Sequence, residues 1–406
     1  MGAVRSKVCT PCRFKHRKCD ELLVCQSCVL HGCEGLCDSQ KKKKVETKSF
    51  LLQIQPKVEN PISDPVHTIQ SEYEAFLFHH WCMEIAPWHD LFDEDKHFSR
   101  RVSAMARESR VLMSATLAYA AKKLQRTGYQ SGGADLTYYN ESILLLISAL
   151  NEGKEGDFSI ATVVVLCGLE IMDASCDNWQ KHLNGILSML SKTKMLSFSS
   201  LRRAAFWIFA REDTLLSIIQ KKPTHLDPNL WDLTGDGVRD DIQANKMLRI
   251  LALTSNYVAG KPDPEVQRHL FSYLEEFREK LPRKCEAIVT IAGEIPKDLY
   301  STMIQSSMFQ MYHLAYILLY GPQDARAERH AIGIIGIANS GLDPTAKVNS
   351  IQPMVYAGQV LKKTDHRTFV LYYLEQIERV LGWTTTSKRK ELRDMWRTTS
   401  IWNLIN

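Results

Sequence analysis

Cys9-Thr10-Pro11-Cys12-Arg13-Phe14-Lys15-His16-Arg17-Lys18-Cys19, followed after five residues by Cys25-Gln26-Ser27-Cys28 and then by Cys33 and Cys37, sets the organisation of this 406-residue chain. Seven of its eleven cysteines fall between positions 9 and 37. Zinc takes four ligands in a tetrahedron, and a CxxC turn supplies two thiolates at once. Six thiolates cannot fill two separate tetrahedra. If two of them bridge, six cysteines serve two metals, and the duplicated order CxxC-x6-C then CxxC-x8-C fits that arrangement. A head of about thirty residues has too small a core to fold alone, so metal would supply most of its folding free energy, on the order of 10 kcal/mol.

Charge points the same way. The chain has 51 Lys and Arg against 46 Asp and Glu; positions 1–50 hold 11 of the bases and 5 of the acids, leaving 40 against 41 elsewhere. The whole positive surplus surrounds the cysteines, which is the electrostatic footprint of nucleic-acid binding. A redox switch or a protein-binding zinc ribbon would not need the basic run 13–18 inside the cluster. No apolar run approaches a membrane span, and the first thirty residues carry cysteines and charges where a signal peptide needs an apolar core. The chain is therefore expected in the cytosol or nucleus, where reduced, clustered thiols favour zinc.

These residues resemble the fungal binuclear zinc cluster, or zinc(2)-cysteine(6), transcription factors. The signature is CxxC, six residues with a basic run, Cys, a short loop, CxxC and a final Cys; Cys19-Asp20 and Gly32 also sit where members often have Cys-Asp and Gly. The resemblance implies two Zn2+ held by Cys9, Cys12, Cys19, Cys25, Cys28 and Cys37, with Cys9 and Cys25 bridging. It implies that Lys15 and His16, at the end of a short helix after Cys12, read CGG-like triplets in double-stranded DNA while Arg13, Arg17 and Lys18 meet phosphates. Cys33 is the alternative sixth ligand, but four residues after Cys28 give less reach than the eight that precede Cys37. Two features depart from the pattern: the loop Glu21-Leu22-Leu23-Val24 lacks the usual proline, and His16 replaces the commoner lysine. Lys41, Lys42, Lys43 and Lys44 emerge from the head and suit phosphate contact or nuclear import equally.

The head is assigned to residues 1–40 and a basic, proline-containing linker to 41–67, where Pro56, Pro61 and Pro65 forbid a continuous helix. No three-heptad a/d series runs through the linker, so the protein binds as a monomer or dimerises through the large domain beyond it.

Residues 68–406 are expected to form a large all-helical domain, making the fold class mainly α. Ile69, Tyr73, Phe76, Leu77, Trp81 and Ile85 recur at threes and fours and should end before Pro87. Leu136, Tyr139, Ile143, Leu146, Ile147 and Leu150 repeat the signal, with Asp135 as N-cap, and Leu183, Ile186, Leu187 and Leu190 form a third stripe. Segment 160–169 is apolar on all sides; despite Thr162-Val163-Val164-Val165 its length and neighbours favour a buried helix over a strand. Segment 201–220 should stop at Lys221-Lys222-Pro223, and 240–258, 264–280, 296–320, 327–338 and 364–381 are further helix candidates.

This body resembles the helical fungal-specific transcription factor domain that follows the cluster in the same family. Phe206-Trp207-Ile208-Phe209-Ala210-Arg211-Glu212-Asp213 matches its aromatic-Arg-x-Asp helix, Asp177-Asn178-Trp179-Gln180-Lys181-His182-Leu183 its tryptophan-histidine helix start, and Gly382-Trp383 its C-terminal Gly-Trp. Arg211 and Asp213 are expected to tie helices together. No GxSxG, HExxH, GxGxxG or P-loop pattern supports an enzyme. His79-His80-x-Cys82 is read as packing, and Cys167, Cys176 and Cys285 as buried small hydrophobes. The expectation is a nuclear regulator of RNA polymerase II transcription that binds double-stranded DNA and no membrane. A homodimer through the helical body and a small-molecule effector or co-regulator are permitted partners, the effector's residues being unnamed by sequence. The alternative is a zinc-dependent protein-interaction regulator on a helical scaffold that does not touch DNA.

Overall fold

The Ser71 hydroxyl accepts the Glu74 amide at 3.1 Å and so starts α1 (Glu72–His80) by N-capping. The expected stop before Pro87 does not occur. A π-helical turn, Trp81–Ile85, closed by the Ala86 amide on the Trp81 carbonyl, carries the chain into α2 (Ala86–His89) with Pro87 in its first turn. Proline has no amide to donate and its ring crowds the carbonyl four residues back; the wider turn removes that conflict. This computed structural model describes residues 68–153, 156–172, 199–233 and 237–405, with side chains through 398. The cysteine head, the linker, the stripe 183–190, the Trp179 motif and Cys176 lie outside the described residues.

A second π-helical turn, Phe98–Val102, leads into α3 (Ser103–Ala106), and Ser109 caps α4 (Arg110–Arg126). In α5 (Ala134–Asn151) the cap is Gly133, at φ 85°, and not Asp135. Asp135 lies inside the first turn, buried, with Lys122 Nζ 3.5 Å away. The apolar stripe of α5 is also narrower than its sequence suggests: Leu146 is buried and Tyr139, Ile143 and Leu150 are half-buried, but Leu136 and Ile147 are exposed. The helix lies along α4 with one face inward, and two apolar positions fall outside that face.

Segment 160–169 does form a buried helix, within α6 (Asp157–Ile171), packed between α4, α5 and α7 (Ser200–Gln220). Its Thr162 hydroxyl donates to the Phe158 carbonyl at 2.8 Å, so the β-branched run carries no unpaired polar group into the interior. The end of α7 is as expected: Lys221 turns left-handed at φ 54° and Pro223 follows. Next come α8 (Asp240–Ala259) and α9 (Pro264–Lys280).

The candidate helix 296–320 is corrected. A short antiparallel hairpin, β1 (Val289–Ile291) against β2 (Lys297–Leu299) with Val289 opposite Leu299, occupies its start. Helix α10 (Met303–Tyr320) begins only after the extended Thr302 accepts the Gln305 amide. Then come α11 (Ala325–Ala338), α12 (Pro344–Asn349), α13 (Ile351–Val360), α14 (Thr364–Gln376) with a π-helical turn Ile377–Leu381, and α15 (Thr386–Ile405). The described residues are thus mainly helical.

Neighbours along the chain are largely neighbours in space: α1 packs on α4, α4 on α5 and α6, α6 on α7, α7 on α8, α8 on α10, α10 on α11, and α11 on α13. The C-terminal elements return to the start, because α12 rests on α2 and the turn Ile377–Leu381 rests on α4. One buried apolar cluster runs from Leu77 to Leu392. Among the described residues no helix is long and apolar enough to cross a membrane.

Gly382 closes this return at φ 81°, where a Cβ would stand 2.9 Å from Arg126 Cβ and 3.4 Å from the Lys123 carbonyl oxygen. Gly382→Ala should combine left-handed strain with that clash and lower stability by about 2 kcal/mol. An unchanged urea midpoint for the variant would contradict this account.

Candidate functional site

Where the two ends of the helical body meet, five helices enclose a cavity. Helix α2 contributes Trp88 and His89, α4 Tyr119, α6 Val164, Cys167 and Gly168, α7 Phe209, Arg211 and Glu212, and α12 Val348; Trp383 closes it. It leaves about 40 Å³ for the centres of water-sized molecules. Gly168 permits the convergence: a Cβ there would lie 2.9 Å from Tyr119 Cε1 and 3.0 Å from His89 Nε2. Rings build the walls, with Trp88 edge-on to Tyr119 at 6.2 Å and to Trp383 at 6.0 Å, and His89 stacked on Phe98 at 5.0 Å.

Burial, reinforced by the Arg211 charge, pulls His89 down to about 3, so its imidazole is neutral. Its Nδ1 lies 3.4 Å from the Ile85 carbonyl, which assigns the proton to Nδ1 and leaves Nε2 an acceptor. Arg211 is buried as well; its guanidinium lies 5.5 Å from the Phe92 ring centre, and its Nε is 3.6 Å from Glu212 Oε1, beyond hydrogen-bond length. Burial lowers the guanidinium pKa and raises that of the Glu212 carboxyl, only partly offset by their attraction. Among the described residues no hydrogen-bond acceptor reaches Arg211 Nε, Trp88 Nε1 or Trp383 Nε1, all three buried. The Cys167 thiol is pushed well above its ordinary value by burial and is inert.

The expected tie between helices through Arg211 and Asp213 resolves into two separate roles. Asp213, fully buried, accepts the Leu226 amide at 2.9 Å and pairs with His225 Nδ1 at 2.8 Å, fastening α7 to the loop beyond it. Arg211 instead faces the cavity. Trp207 and Phe206 pack edge-on against Trp231, as core residues should. His80 Nδ1 sits 3.2 Å from Glu84 Oε1, and Cys82 is partly buried, consistent with packing and not ligation. Among the described residues, the one group dense enough for a metal is Asp93, Asp95 and His97. Asp93 already accepts the His97 amide at 2.8 Å and the Asp95 amide at 3.2 Å and pairs with the His97 ring, so it is a loop-ordering group. Beside it an open depression of about 380 Å³ is lined by charges that pair with one another, Arg239 with Asp241 at 2.7 Å and with Asp95 at 3.1 Å.

Every metal-ligand and DNA-contact position expected from the sequence, from Cys9 to Lys44, lies outside the described residues. The cavity is what the sequence did not name, although two motifs quoted for their resemblance, 206–213 and 382–383, contribute to its wall.

Residues 76–400 match the family described as Fungal specific transcription factor domain. The chain is also similar to the Transcription activator AMTR1 of Alternaria alternata, with 23% identity over 493 aligned positions covering 81% of this chain and 64% of that relative. It thus spans less than two thirds of the relative's length. No solved structure matches.

Proposed function

This chain belongs to the fungal specific transcription factor domain family, and from that premise we propose that it is a nuclear, sequence-specific DNA-binding regulator of transcription. In this reading Cys9, Cys12, Cys19, Cys25, Cys28 and Cys37 hold two Zn2+, with Cys33 as the alternative to Cys37. The donor set fits the metal, since six thiolates with two bridges complete two tetrahedra. Lys15 and His16 meet the bases of a CGG-like half-site, and Arg13, Arg17, Lys18 and Lys41 to Lys44 meet phosphates. The observation that carries the reading is the coincidence of the chain's whole positive surplus with the duplicated cysteine pattern, immediately ahead of a family-matched helical body. The relative's name, a transcription activator, favours the same class of activity.

Lys15→Ala decides between this and a protein-interaction head. Loss of one base-reading side chain should weaken specific binding by about 1–3 kcal/mol, or roughly ten- to a hundredfold. Zinc content should be unchanged, because Lys15 is not a ligand. Fluorescence anisotropy with a CGG-containing duplex and a scrambled control measures it; equal affinity of variant and wild type for the two duplexes refutes DNA reading. With about six phosphate contacts, log K should fall against log salt with a slope near −5.

A further inference from the structure

We infer that the cavity enclosed by Trp88, Tyr119, Arg211 and Trp383 is a binding site for a small organic acid, entered carboxylate first. Its lining residues carry buried donors that no acceptor meets. Trp88 and Arg211 are only 4% and 5% exposed, yet among the described residues no hydrogen-bond acceptor reaches Trp88 Nε1, Arg211 Nε or the buried Nε1 of Trp383. A buried donor left unpaired is costly, and three such donors belong to residues of this one cavity.

The chemistry of the lining selects the ligand class. Three N–H donors and a buried positive charge favour an anion, and the planar guanidinium matches a planar carboxylate. The same charge disfavours a cation in spite of the aromatic walls. Among the described residues, Glu212 is the one carboxyl on the lining. It pairs with Arg211 Nε at 3.6 Å, beyond hydrogen-bond length, so that donor keeps room for a closer acceptor. About 40 Å³ takes a carboxylate and the atoms beside it, and Trp88, Tyr119, Phe209 and Trp383 supply an apolar surround for the rest of a small acid. Trp383 is partly exposed, so the cavity approaches the surface there. The inference concerns the helical body and holds whether or not the head reads DNA.

The test uses the full chain with acetate and benzoate as probes, benzylamine as the cationic control, and chloride to keep ionic strength constant. Tryptophan fluorescence and the thermal midpoint are followed. At least one acid should give a saturable response that benzylamine does not give. Trp383→Phe, which removes one donor and keeps a ring, should weaken the response by about tenfold or more. Val348→Leu, which fills the cavity, should weaken it likewise; circular dichroism checks that both variants fold. The inference is overturned if neither acid acts, if benzylamine acts equally, or if folded variants respond as the wild type does. The comparison of acid with amine on the unmodified chain decides the matter even where a variant fails to fold.

Discussion

Cys9→Ala should abolish specific DNA binding and release zinc from the head, while leaving the thermal transition of the helical body in place. On the proposed reading Cys9 bridges both metals, so one substitution removes a ligand from each tetrahedron. Structural zinc contributes about 10–16 kcal/mol to the folding of small modules, far more than a core of about thirty residues can replace. The expected result is therefore loss of the fold of the head and not a weakened contact. Metal content, a gel shift with a CGG duplex and a thermal melt separate the two units. A strong chelator should reproduce the effect in the wild type, and a gel shift that survives chelation would sink the proposal. The pair Cys37→Ala and Cys33→Ala identifies the sixth ligand, because only the true one should lose metal.

The largest effect expected within the helical body comes from Arg110→Ala. Arg110 joins three helices: Nη2 and Nη1 donate to the two oxygens of Glu74 on α1 at 2.9 Å each, and Nε and Nη2 donate to Glu141 on α5 at 2.7 and 2.8 Å. Nη1 also reaches the Thr68 carbonyl at 3.1 Å. Burial opposes the charge of Arg110, but the bonds to Glu141 and Glu74 outweigh it and hold the guanidinium above its ordinary value. The Glu74 side chain is only 4% exposed, so removing its partner strands a buried carboxylate. Breaking a buried pair in this way costs about 3–5 kcal/mol, against roughly 1 kcal/mol or less for an exposed pair. Urea denaturation should show it, and adding Glu74→Gln should recover part of the loss; no recovery would mean that packing and not charge is responsible. The wild type should also respond to acid. Burial would raise Glu141, but its bonds to Arg110 and Ser114 hold it below 4.5, its ordinary value. Its contribution is therefore complete above that value and lost as the pH falls through the depressed one.

Much of the fold was legible in the sequence where one periodicity ran uninterrupted. Helices α6 to α9 sit close to where their apolar spacing and flanking prolines put them, because a 3.6-residue repeat is a local property. Errors fell where two local signals competed. Pro87 reads as a stop, but a π-helical turn absorbs it; Asp135 reads as a cap, but Gly133 with its positive φ takes that position. At 296–302 the chain runs through a hairpin strand, Lys297–Leu299, too short to carry a visible period.

The sequence by itself determined the cysteine spacing and charge on which the proposed head rests, and the helical class of the body. Cysteine spacing and a basic run are short-range features, and charge can be counted without coordinates. Only the tertiary structure decided that Arg211 and Asp213, two residues apart on α7, serve different ends, one facing a cavity and the other holding a loop. The physical reason is that an N–H or a carboxylate acquires its role from what lies opposite it. Opposite Arg211 stand residues of α2 and the segment after α14, brought there when the C-terminal elements fold back on the first helices, and no local pattern encodes that meeting.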